Sequence, residues 1–240
     1  MKQLVIANWK MMQNLDGLEA CLNKAKVDGL RTLIVAPSYP HIPLVSGFGV
    51  HVASQDMSRH ETGAYTGDVS AQQLTELGVE YVILGHSERR IYKHETDEHV
   101  ALKVKMTIAH DMIPVICIGE DAVQHKKKQT TKVIIAQLAK ALKGVKKTSE
   151  LVIAYEPIWA ISGFQKSKKK VSASVHDIYT THSHIYMWLL DHGFKNAKVV
   201  YGGSVTPQNA SEILSLTYVD GVLVGSASLD AKSLNSILLA

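Results

Sequence analysis

Residues 151–157 read LVIAYEP: five apolar or aromatic residues in a row, then an acid, then a proline. The run has the length of a strand. It is nearly continuous rather than alternating in polarity, as expected for a strand buried on both faces of a parallel sheet. Similar runs recur on either side of it, at Leu4–Ala7, Thr32–Ala36, Val50–Ala53, Tyr81–Leu84, Ile113–Ile118, Val199–Tyr201 and Gly221–Val224. Most are separated by enough chain for a helix, and Thr131–Leu142 and Val175–Leu190 place apolar residues at helical spacing. Eight such runs alternating with helices predict an α/β fold, a closed (β/α)8 barrel, with residues 1–240 forming one domain. A doubly wound open sheet is the alternative that the pattern leaves. No Pro/Gly/Ser-rich stretch divides the chain into halves.

The chain has 240 residues, 46% hydrophobic and 20% charged, which is ordinary composition for a packed core of this size. Its formal net charge of +4 favours anionic partners only weakly. The two cysteines, Cys21 and Cys117, form no CxxC pair, so neither a disulfide framework nor a cysteine metal site is expected. The first apolar run, Leu4–Ala7, is too short for a signal-peptide core. No stretch approaches the roughly 20 apolar residues of a membrane helix. The expectation is a soluble, cytoplasmic protein with no membrane contact. Lysines cluster at Lys126–Lys128, Lys146–Lys147 and Lys168–Lys170, which read as solvated loops and helix ends. Without a nucleic-acid motif or an aromatic-rich basic face, nucleic acid is not an expected partner. A sharper reading lets Lys168–Lys170 draw in an anionic substrate.

Polar residues and glycines follow the strand runs directly. In a parallel barrel all the C-terminal strand ends meet at one rim, so residues distant in sequence converge there. Glu156 at such an end is partly desolvated and suited to act as a base; alone it could equally cap a helix or pair with a lysine. His86, in ILGHSERR, stands at a turn where Ser87 and Glu88 can open a helix and orient the ring; alone it could be a satisfied rim histidine. Asn8 and Lys10, in ANWK, offer an amide and a cation suited to a phosphate or an enediolate, unless Lys10 is merely solvated. The turns YGGS (201–204) and LVGSASL (223–229) let backbone N–H groups approach an anion.

Taken together, ANWK, LGHSERR, AYEPIWAI and YGGSV resemble the triosephosphate isomerase family, with the motifs in family order from Leu4 to about Leu229. The resemblance implies a TIM barrel that interconverts dihydroxyacetone phosphate and glyceraldehyde 3-phosphate without metal or organic cofactor. It implies Glu156 as the base, His86 as the neutral electrophile, Lys10 as the stabiliser of the enediolate, and Asn8 as a holder of substrate oxygens. Ser87 and Glu88 support them, Glu88 by orienting Lys10. Phosphate would be held by backbone N–H groups of Ser162, Ser204, Gly225 and Ser226. The segment 55–69 resembles the family's dimerisation loop, with Thr66 at its tip reaching the neighbour's Asn8 and Lys10.

The chain departs from the family in three places. The lid-like loop Pro157–Lys168 keeps its entry, PIWAI, but its tip reads Ser162-Gly163-Phe164-Gln165-Lys166-Ser167. Ser162 takes the place of a phosphate-gripping glycine, and a one-residue shift would pass that role to Gly163. Ser226 replaces a common second glycine. Asp68 stands where a glutamate is usual, with Arg89 of a partner subunit as its expected ion-pair partner. Two alternatives follow: another phosphate-binding barrel enzyme, or an isomerase weakened by its altered loop.

Overall fold

Eight strands form: β1 (Gln3–Asn8), β2 (Arg31–Ala36), β3 (His51–Ser54), β4 (Tyr81–Leu84), β5 (Ile113–Ile118), β6 (Leu151–Tyr155), β7 (Ala197–Tyr201) and β8 (Gly221–Val224). The computed structural model describes residues 2–25, 31–164 and 171–240. The strands close into one parallel barrel in sequence order, β8 pairing back onto β1 through Leu4↔Gly221 to Ala7↔Val224. This is the (β/α)8 barrel that the strand pattern predicts. The expected helices form at Thr130–Ala141 and Val175–Asp191. Strand β7 begins two residues earlier than its apolar run, because Ala197 and Lys198 pair with Leu151 and Val152.

The packing explains why the strand runs lack alternation. Leu4, Ile6, Val115, Cys117, Val152 and Ala154 fill the barrel interior. Their neighbours Val5, Ala7, Ile116, Ile118, Ile153 and Tyr155 pack outward against the helices. Successive side chains still point to opposite faces, but both faces are buried. The same alternation sets the rim. Asn8 extends the inward series of Leu4 and Ile6, and Glu156 extends that of Val152 and Ala154. Gly202 and Gly225 stand two residues past the inward-facing Val200 and Leu223, and they carry no side chain into the mouth.

Helix starts are locally encoded. Ser70, Thr96, Asp121 and Ser174 each close a reciprocal capping box with the residue three positions on. No helix among the described residues is long and apolar enough to cross a membrane.

Helix Val175–Asp191 also buries an imidazole. His182 lies against the rings of Tyr155 and Tyr201, with its Nδ1–H donating to Tyr218 O at 2.9 Å. Its Nε2 is buried without a partner among the described residues. Burial pushes its pKa down to about 4, against the opposing backbone hydrogen bond. Above pH ~6.5 the ring is neutral in both folded and unfolded chains. As pH falls, the unfolded chain takes up a proton that the folded one refuses. Stability is therefore lost between pH ~6.5 and ~4, by about 3 kcal/mol. That is a large share of the ~5–15 kcal/mol typical of a domain. His182→Phe, read by urea unfolding at pH 7 and pH 4.5, is expected to flatten this acid loss. A pH dependence equal to that of the parent would refute it.

Candidate active site

Glu156 directly follows β6, and its backbone N–H donates to Ile118 O at 2.8 Å, fixing it against the end of β5. The residue is 2% exposed. Its Oε2 accepts from the Ser87 N–H at 2.9 Å. Its Oε1 is buried with no hydrogen-bond donor among the described residues. His86 Nε2 lies 3.1 Å from that oxygen but is not aligned to donate. One carboxylate oxygen is thus anchored while the other keeps its lone pairs. Gly202 makes the room: a Cβ there would lie 3.0 Å from Glu156 Cγ. Cys117 sits beneath, fully buried; burial, and then the Glu156 carboxylate, push its thiol well above the ordinary range. It stays protonated and adds no second anion.

His86 is placed by a glycine turn and a helix start. Gly85 has φ +68°, a region L-residues rarely adopt, and a Cβ there would meet Val100 Cγ2 at 2.8 Å. Arg90 Nε donates to Gly85 O at 2.7 Å, and Gly85 N–H donates to Glu95 Oε2 at 3.2 Å, so the turn is tied on both sides. His86 then caps helix Ser87–Tyr92, its Nδ1 accepting from the Glu88 N–H at 3.2 Å. An Nδ1 that accepts carries no proton, so the ring is neutral and its N–H is on Nε2, the edge facing Glu156.

Lys10 has φ +53° although it is not glycine. Such strain persists only where the surroundings impose it. Its N–H donates to Asn8 Oδ1 at 3.2 Å, its carbonyl accepts from Gln55 Nε2 at 2.8 Å, and Gln55 Nε2 also reaches Ala36 O at 2.9 Å. The ammonium donates to Glu88 Oε1 at 2.6 Å, which aims it inward. Next to it, Trp9 is fully buried and donates its indole N–H to Ser228 O at 3.0 Å, tying β1 to the turn after β8.

These groups surround a cavity of about 350 Å³. Asn8, Lys10, His86, Glu156, Ser204, Gly225 and Ser226 are among its lining residues. Ser226 opens a tight turn, Ser226–Ser228, whose first N–H groups have no acceptor within the turn. A Cβ on Gly225 would lie 3.8 Å from Lys10 Nζ, so the ammonium and this turn share one corner. The arrangement offers a carboxylate, an imidazole N–H donor, a cation and a glycine turn. It suits proton transfer next to a carbonyl in an anionic substrate. The family model described as triosephosphate isomerase matches residues 3–240. The chain belongs to the triosephosphate isomerase family.

Individual relatives agree. The chain is 36% identical over 251 residues to a triosephosphate isomerase of Prosthecochloris aestuarii, covering 100% of this chain and 98% of the relative. It is 37% identical over 249 residues to that of Delftia acidovorans, and 38% over 251 to that of Paracidovorax citrulli, with the same coverage. The triosephosphate isomerase motifs quoted from the sequence converge on this cavity. The loop after β6 differs from the family at its tip, and there the structure describes only the first part. Ile161 and Gly163 line the cavity, Ser162 opens the turn Ser162–Phe164, and Phe164 packs against Tyr92 with ring centroids 6.1 Å apart. Lys168–Lys170 and the rest of 165–170 lie outside the described residues, as does the Ser162 side chain.

Other expectations fare differently. Within this chain Arg89 contacts Asp56 Oδ2 at 2.6 Å, and Asp68 accepts from the Ser58 hydroxyl at 2.7 Å, so both are engaged locally. Lys126–Lys128 and Lys146–Lys147 are exposed, as solvated lysines should be, with Lys147 Nζ 3.8 Å from the Phe194 ring centroid. Sequence reading missed Gln55, Trp9 and Cys117 as supports of the site. Gln55 follows a strand run and carried a signal of position; the other two read as ordinary core.

Proposed function

We propose that this chain interconverts dihydroxyacetone phosphate and D-glyceraldehyde 3-phosphate, as expected of a triosephosphate isomerase. The supporting observation is Glu156 Oε1: buried, without a donor among the described residues, and 3.1 Å from the N–H edge of a neutral His86. Glu156 takes a proton from C1 of the ketose. His86 Nε2–H donates to the carbonyl oxygen at C2, and Lys10 stabilises the negative charge that develops. An enediolate forms, His86 relays the proton between the two oxygens, and Glu156 returns its proton to C2. Asn8 holds a substrate oxygen. Backbone groups of Ser162, Ser204, Gly225 and Ser226 hold the phosphate, and Ser87 and Glu88 keep Glu156 and Lys10 in place. No metal or organic cofactor is required by these steps. The reaction belongs to glycolysis and gluconeogenesis in the cytoplasm, with residues 1–240 acting as one domain. A coupled assay in both directions tests the reading, with Glu156→Gln as control. Absence of turnover with either triose phosphate would overturn it, and turnover near the family's level would remove the idea of an isomerase weakened by its loop.

The working unit we propose is a homodimer. Segment 55–69 is anchored at its base by Asp56 to Arg89 and Lys103, and Thr66 stands exposed at its tip. A groove of about 380 Å³ beside the site is lined by Met11, Tyr39 and Tyr92 and borders Asn8, Lys10 and His86. Met11 is 95% and Tyr92 64% exposed, apolar surface that a partner's loop would cover. Thr66→Glu would place a charge in that groove, and sedimentation is expected to show monomers with reduced activity. A fully active parent monomer at assay concentration would refute the dimer.

A further inference from the structure

Trp159 lies three residues past Glu156, in the short turn Ile158–Ala160 that opens the loop after β6. The backbone on its N-terminal side is held by two bonds: Glu156 N–H to Ile118 O at 2.8 Å and Ile158 N–H to Glu120 O at 3.1 Å. Its indole N–H donates to Glu120 Oε1 at 2.7 Å. The same oxygen accepts from the hydroxyls of Tyr155 at 3.2 Å and Thr130 at 3.1 Å. Glu120 is fully buried, and its Oε2 has no partner among the described residues. This acid therefore ties together three elements around the residue that precedes the base and the one three places after it.

His125 completes the cluster from the outside. Its ring lies nearly flat on the Trp159 indole, with centroids 3.9 Å apart and planes at 23°, and its Nδ1 is 3.4 Å from Glu120 Oε1. His125 belongs to helix Ala122–Lys126 and does not border the catalytic cavity. It faces instead the space shared with His176, Asp177 and His184 of helix Val175–Asp191. We propose that His125 is a positioning residue: stacked on Trp159, it keeps the indole on Glu120 and so holds the segment 156–160 in the register that points Glu156 at the substrate. The proposal rests on Glu156 being the base.

An indole without its covering ring is free to swing from Glu120, and the base then spends part of its time misplaced. A stacked ring pair of this kind corresponds to about a 2- to 10-fold change in an equilibrium. His125→Ala is expected to lower kcat by that factor with KM within about twofold. It should also raise the primary isotope effect on C1-deuterated dihydroxyacetone phosphate, because proton transfer becomes slower relative to other steps. A smaller folded fraction would lower kcat without changing that isotope effect. His125→Phe, which keeps a ring, should restore both values. Adding His125→Ala to Trp159→Phe should cost less than it does in the parent. An unchanged isotope effect, no recovery with phenylalanine, or full additivity with Trp159→Phe would each overturn the proposal. Non-additivity between positions 125 and 159 can also be read by urea unfolding. If Glu156→Gln proved fully active, that coupling would still stand while the base assignment fell, so the two failures are distinguishable.

Discussion

Glu156→Gln is expected to lower kcat by about 100- to 10,000-fold and to change KM little. Glutamine matches the carboxylate in size and can keep its carbonyl oxygen on the Ser87 N–H, which now reaches Oε2 at 2.9 Å. What it cannot do is accept a proton at the other position. There the amide would present N–H groups toward His86 Nε2, where Oε1 now stands 3.1 Å away. Replacing a buried charge by a neutral group of the same shape offsets the donor-to-donor contact that the amide would make with the Nε2–H of His86, so the fold should be retained. The loss is thus in the chemical step, and a coupled assay together with a thermal melt separates it from unfolding. Turnover within a few-fold of the parent would eliminate Glu156 as the base.

Lys10→Gly is expected to separate activity from stability. Removing a group that stabilises developing negative charge typically lowers kcat by about 100- to 1,000-fold. The same change relieves backbone strain, because Lys10 is held at φ +53° and glycine adopts that region freely. Strain of this kind is worth about 1–3 kcal/mol. Losing the ion pair to Glu88 offsets little of it, since the two side chains are 25% and 34% exposed and such pairs contribute at most about 1 kcal/mol. Melting temperature should therefore stay level or rise while activity collapses. A lysine variant that is both destabilised and active would contradict the assignment on both counts. The strain at Lys10 is then explained by function: it turns the ammonium toward the glycine turn at Gly225 instead of toward solvent.

Particular residues show how far the sequence could be read. The strand runs are legible because a strand buried on both faces needs apolar residues at every position, and that requirement is local. The capping boxes at Ser70, Thr96, Asp121 and Ser174, which the structure shows, are local in the same sense, as capping acts over three residues. Gln55 is a different case. Its amide bridges Lys10 O and Ala36 O, two carbonyls from different strand ends, and nothing adjacent to it in the chain announces that. Cys117 reads as a small core residue and is one, yet closure of the barrel sets it beneath the base. Within the chain Arg89 pairs with Asp56 at 2.6 Å, a contact across 33 positions that no local pattern specifies.

By itself the sequence determined the eight strands, their order, and the residues that stand at their ends. Alternation along each strand carried Asn8 and Glu156 inward, since a period of two leaves no other face for them. Only the tertiary structure decided what those residues do to one another. Lys10 meets Glu88 across 78 positions at 2.6 Å, and Glu156 meets Ser87 across 69 at 2.9 Å. Those distances depend on the closing of a parallel sheet, which converts separation along the chain into neighbourhood around a rim. Propensity and periodicity act over a turn or a strand and do not specify them. The Glu156 oxygen that has no donor among the described residues is a product of that closure: a buried carboxylate whose other oxygen is held by the Ser87 N–H.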